Sequence, residues 1–186
     1  MRAEVAELRQ RPVLVAVVLA MLVNAATFGV FTFLAAIGAD AGIDAAWIPL
    51  LLAVFGVGAF LGVAATGRWG ARWARTWIVV GAAATTVVWV VFGLAVASVP
   101  AVFLGALIGG LLSFAVGSAL IARIVGEAEG APVLGGAYAT AALNLGAVGG
   151  PVLAGIGYSG VGTPGVLFVA AGITAVSVVL TPLLRR

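Results

Sequence analysis

Six stretches of the chain continue for 20 residues or more without a single Asp, Glu, Lys or Arg, and short polar connections separate them. They cover residues 12–37, 47–66, 77–97, 101–122, 133–156 and 165–184. A hydrocarbon core about 30 Å thick takes roughly 20 apolar residues of helix, so each stretch predicts one membrane crossing. Pro12, Pro100 and Pro164 fall at or just before predicted helix starts, where a missing N–H costs nothing. The first stretch far exceeds the apolar core of a cleavable signal, about 7–15 residues, and is read as a crossing. The pattern therefore predicts an all-α membrane protein: a polar, linker-like N-terminal segment over residues 1–11, then a six-helix bundle over 12–186.

Composition narrows the chemistry. The 186 residues are 64% hydrophobic and 8% charged, with a mean hydropathy of +1.30, against about 25% charged residues in soluble domains. Such a chain takes the lipid bilayer as its first partner. Cysteine and histidine are both absent. That leaves no disulfide framework, no thiolate or imidazole metal site and no imidazole base, so neither a metal nor another cofactor is expected. An intramembrane enzyme would be left with Ser or Tyr and no base to activate it. The net charge of +3 and pI of about 10.6 would suggest nucleic acid only on a solvated basic face. Here the charge lies in short connections, and no nucleic-acid partner is expected.

The nine basic residues are all arginine, and their placement sets a direction. Arg2, Arg9 and Arg11 precede the first crossing; Arg68, Arg72 and Arg75 crowd the second connection, "GRWGARWAR"; Arg123 lies in the fourth; Arg185 and Arg186 end the chain. The first, third and fifth connections have none, and the first carries Asp40 and Asp44, which suit solvation or capping. Cytoplasmic connections collect Arg and Lys, so both termini are predicted to be cytoplasmic, with Trp69 and Trp73 at the interface. Richness in Ala, Gly and Val, with Arg in place of Lys, points to a GC-rich bacterial genome and hence to a bacterial inner membrane.

Small residues mark helix contacts in lipid, where association depends on close backbone approach. The second stretch has Gly58 and Gly62 in GxxxG spacing with Gly56 nearby; the fourth has Gly105, Gly109, Gly110 and Gly117; the fifth has Gly146, Gly150 and Gly155 with Pro151 inside the helix. Two readings stand: general tight packing, or sliding and bending of the second and fifth helices against a partner bundle, favoured at Pro151 by its missing hydrogen bond. The glycine-rich second and fifth helices take corresponding places in two sets of three, as in the inverted repeats of several transporter folds.

With these residues in view, the chain resembles the C-terminal six-helix half of a major facilitator superfamily transporter. It is most similar to the bacterial drug-efflux branch of chloramphenicol-resistance and arabinose-efflux-type permeases. Three stretches carry the resemblance: "LVNAATFGVFTFLA" at 22–35, "GRWGARWAR" at 67–75 and "NLGAVGGPVLAG" at 144–155. In the second, Gly67, Arg72 and Arg75 match the family's loop between second and third helices, while Ala71 stands where the family has an aspartate that helps hold one gate state. Gly150-Pro151 is similar to the G-P element of antiporter motifs. The resemblance implies a cavity lined by the first and fourth helices of each half, moving contacts made by the second and fifth, and third and sixth helices facing lipid.

Candidate ligand residues follow from both sources. Asn24, Thr27, Phe28 and Phe31 share one helix face by their spacing, and an amide, a hydroxyl and rings suit a small amphiphilic ligand. Interhelical bonding of Asn24 and plain aromatic packing is the other reading. Ser113 and Phe114, with Ser118 beside them, are candidates on the fourth helix; Tyr138, Thr140 and Asn144 on the fifth are expected to face a partner half. No ionisable residue lies well inside a crossing, so a proton-coupled carrier would need its titrating carboxylate elsewhere. The expected function is proton-coupled efflux of small amphiphilic molecules, chloramphenicol-like or sugar-like, by alternating access. The chain would serve as a half that needs an N-terminal six-helix partner, from the same gene or a separate chain, or a second copy. A non-transporting membrane scaffold is the alternative.

Overall fold

The computed structural model describes the backbone of residues 10–128 and 132–185, and the side chains of these except 69–72, 132–133 and 185. Six helices form: α1 (Arg11–Asp40), α2 (Ile48–Thr76), α3 (Ala82–Leu94), α4 (Val99–Glu127), α5 (Pro132–Val161) and α6 (Thr163–Leu180). All six crossings are long and apolar enough to span a membrane, with the second and third taken as Ala45–Arg68 and Trp73–Leu94. Proline opens five of the helices, Pro49 at α2 and Pro132 at α5 joining Pro12, Pro100 and Pro164. Asp44 does cap: its Oδ1 accepts the Ala46 N–H at 2.9 Å, starting a short 3-10 turn before α2. A π turn over Trp77–Gly81 leads into α3, and Gly162, at a φ of 73°, turns the chain between α5 and α6.

The helices are apolar all round, so hydrophobicity does not choose which faces meet. Backbone proximity does. The closest pairs are α2 with α4 and α1 with α5. On α2, a Cβ at Gly58 or Gly62 would collide with the carbonyl oxygens of Leu107 and Leu111; on α5, a Cβ at Gly146 or Gly150 would collide with those of Met21 and Ala25. Each pair of glycines one helical turn apart thus rests on two carbonyls one turn apart, with residue numbers rising together, so each pair of helices is parallel. Glycines also stand on the opposite sides of these contacts, Gly110 against the Phe55 carbonyl and Gly29 against that of Gly150.

Exchanging α1 with α4, α2 with α5 and α3 with α6 maps one close pair onto the other and the α3–α6 contact onto itself. This is the geometry of two inverted three-helix units. In front, the packing order is α2, α4, α1, α5; behind them α3 and α6 lie antiparallel, joined by a Thr86–Thr174 hydroxyl bond of 3.0 Å. Gly105 and Gly109 have a different task from the α2 and α5 glycines. They open a trough on α4 for the stacked rings of Phe92 and Trp89, whose centroids are 6.4 Å apart.

Apolar side chains gather in two layers. One, towards the end that carries Asp44, holds Val30, Leu34, Leu51, Phe55, Trp89 and Leu167. The other, towards the opposite end, holds Leu19, Ile78, Val116, Leu120 and Ile124. Because helix directions alternate, Arg11, Arg68, Arg75 and Arg123 all lie at that second end. Arg2, Arg9 and Arg186, with the side chains of Arg72 and Arg185, lie outside the described residues.

The close approach makes a direct prediction. Gly62→Val and Gly150→Val should each lower stability by about 1–3 kcal/mol, the usual cost of overpacking, or prevent folding. Gly56→Val, where a Cβ meets nothing within 4 Å, should be neutral; thermal unfolding in detergent reads the difference.

Candidate functional site

Asn24 and Thr27 lie near the middle of the 30-residue α1, and Ser113 and Phe114 near the middle of α4. These four line a single cleft of about 80 Å³, with Val23, Gly117, Ser118, Ile121 and, from α5, Leu143. Two helices that each place a polar residue at mid-span therefore bring them together. Gly117 leaves open space where another residue would project.

The polar groups differ in what they have left to offer. Thr27 is buried and its Oγ1 donates to the Val23 carbonyl at 2.7 Å. Like most hydroxyls in lipid-spanning helices, it is satisfied by its own helix. Asn24 is half-buried, and its Nδ2 donates to the Leu143 carbonyl at 2.5 Å, tying α1 to α5. That bond accounts for one amide hydrogen and leaves the Oδ1 acceptor. Ser113 is 2% exposed, and its Oγ has no hydrogen-bond partner among the described residues. A buried hydroxyl without a partner costs about 1–3 kcal/mol, so Ser113 holds an unused donor and acceptor inside the cleft.

The volume decides what fits. Ligand pockets run to about 300–1,000 Å³, and a water's share of liquid volume is about 30 Å³. The cleft therefore accepts one hydroxyl, amide or similar group, not a whole ligand. Beside it, on the side of the Asp44 end, four rings from three helices form a continuous shelf. Phe28 meets Phe31 at 6.3 Å between centroids, Phe31 meets Phe55 at 5.1 Å, and Phe55 meets Phe114 at 6.3 Å. Phe31 is 38% exposed. Phe55 belongs to α2 and is not among the expected residues, because the resemblance points only to the first and fourth helices; the ring reaches the shelf through the close α2–α4 contact.

Other expected residues lie elsewhere. Tyr138 packs against Val13 and Ala128 at the arginine-bearing end. Thr140 and Asn144 are exposed on α5, Thr140 donating to the Gly136 carbonyl and Asn144 pairing with nothing described. Gly58, Gly62, Gly146 and Gly150 turn inward onto α4 and α1, while Gly56 and Gly67 face open space. Pro151 is half-buried on α5 beside Gly150, and Arg75 is exposed. Among the described residues no cluster of acidic side chains is placed to hold a metal ion.

The outer faces of α2 and α5 remain uncovered and apolar. Val57, Phe60 and Leu61 on α2, and Leu145, Val148 and Val152 on α5, are all more than 40% exposed.

Comparison with known proteins agrees with this architecture. The family profile of the Major Facilitator Superfamily matches residues 14–186. A chloramphenicol resistance protein of Streptomyces lividans is 42% identical over 155 residues, which is 83% of this chain and 40% of the relative. The chain thus spans less than half the length of that relative. No solved structure gives a significant match. A six-crossing bundle of two inverted units, matched almost end to end by the family profile, belongs to the Major Facilitator Superfamily.

Proposed function

We propose that this chain is the C-terminal six-helix half of a membrane transporter that exports small, uncharged amphiphilic molecules, chloramphenicol among them. The observation that carries this reading is the mid-span cleft: an unpaired Ser113 hydroxyl and the Asn24 amide beside a shelf of four phenylalanines. A ligand with an aromatic ring and a hydroxyl or amide group satisfies both parts at once. It lays its ring on the exposed Phe31, which Phe55 backs from behind, and its polar group against Ser113. A charged ligand would find no counter-charge in the cleft, whose lining is neutral throughout.

Six helices make one wall. Alternating access rocks one bundle against another around a site between them, and the uncovered faces of α2 and α5 are surfaces for a second six-helix half to cover. The relative's greater length supports a partner half of different sequence. A second copy of this chain is the alternative occupant. The half contributes no proton-carrying group within its crossings, so in a proton-driven cycle the titrating carboxylate belongs to the other half. Both termini and the arginine-bearing end face the cytoplasm of a bacterial inner membrane.

Joined to a matching N-terminal half in a host lacking drug efflux, the chain should lower chloramphenicol accumulation. Ser113→Ala and Asn24→Ala should each weaken export by roughly five- to a hundredfold, the range of a lost buried hydrogen bond of about 1–3 kcal/mol. Unchanged accumulation with folded, inserted protein would rule out the transport reading. Orientation has its own test, because the chain has no native cysteine. Asp44→Cys should react with an impermeant maleimide on intact cells, and Arg68→Cys only after permeabilisation.

A further inference from the structure

At the arginine-bearing end, a second and larger cleft of about 650 Å³ opens between the end of α2 with the π turn that follows it, the end of α4, and the end of α6 with the short turn beyond it. Arg75 and Arg123 line it, together with Ile78, Val79, Val178 and Leu184. It lies far along the bundle from Ser113 and shares no lining residue with the mid-span cleft.

The two arginines are differently committed. Arg123 Nη2 lies 2.7 Å from Glu127 Oε1 and also approaches the Leu184 carbonyl at 3.4 Å, so one edge of the guanidinium is held in place. Its Nε–H is buried and has no acceptor among the described residues. A buried donor on a charged group is costly to leave without a partner. Arg75 is exposed and pairs with no described carboxylate. Glu127 offsets one positive charge, and that of Arg75 remains.

We propose that this cleft binds the phosphate of an anionic phospholipid from the adjoining leaflet. The phosphate supplies a counter-charge for Arg75 and an anionic acceptor for the exposed part of the Arg123 guanidinium. The apolar walls argue for lipid over a soluble anion, since Ile78, Val79, Val178 and Leu184 suit the glycerol and upper acyl carbons that come attached to it. The site stands where a crossing meets the interface, with Trp73 exposed nearby, at the height of headgroups. Basic pockets between membrane helices are suited to such headgroups. This inference is independent of the ligand handled at mid-span.

The test uses the full chain in detergent, titrated with phosphatidylglycerol, with phosphatidylcholine as the neutral comparator and glycerol 3-phosphate as the soluble anion. Native mass spectrometry reads the lipid retained. Phosphatidylglycerol should be retained over phosphatidylcholine, and millimolar glycerol 3-phosphate should not displace it. Arg75→Gln, which removes no described ion pair, should weaken retention about fivefold. Glu127→Gln should strengthen it, by freeing Arg123 from its competing carboxylate. Equal retention of both lipids, indifference to Arg75→Gln, weaker binding in Glu127→Gln, or displacement by glycerol 3-phosphate would each overturn the proposal.

Discussion

The contact on which this bundle depends is backbone against backbone. Water drives no apolar surface together inside a bilayer, so helices associate through dispersion, which falls away steeply with distance. At α2–α4 and α1–α5 carbonyl oxygens of one helix stand where a side chain on the facing glycines would have to go. Those contacts fix the parallel direction of each pair and set the helices at a separation that any side chain would widen. The rest is arranged around them. Phe55 reaches the aromatic shelf because α2 is held against α4, and Asn24 reaches the Leu143 carbonyl because α5 is held against α1.

The same arrangement divides labour between the two sides. The rear helices are cemented by large rings and hydroxyls: Trp89 and Phe92 in the α4 trough, and Thr86 with Thr174 between α3 and α6. The front helices α1 and α4 instead bring the Ser113 hydroxyl and the Asn24 amide to the mid-span cleft. A fold that satisfied every polar atom internally would have nothing left with which to hold a ligand. Ser113, buried and unpaired, is where the front departs from self-sufficiency.

Much of this is legible in the amino-acid sequence. Crossing number follows from charge-free lengths, because lipid tolerates few ionised groups at depth. The convergence of Asn24 and Thr27 with Ser113 and Phe114 follows from spacing on one helix together with the family resemblance. What pattern does not assign is the partner of each glycine. Gly58 and Gly105 look alike in sequence, yet one admits a neighbouring backbone and the other an aromatic ring. In an all-apolar helix no periodicity separates these cases; only the three-dimensional partner does. Phe55 and Tyr138 show the same gap in both directions, one ring joining the shelf unannounced and the other packing at the far end.

The neutrality of the crossings has an energetic corollary. Each elementary charge carried through the membrane field exchanges about 2.3 kcal/mol with every 100 mV. The described arginines stay at the helix ends and the mid-span cleft is uncharged, so no side-chain charge sits deep within that field. A resting voltage therefore finds no side-chain charge inside these crossings on which to pull.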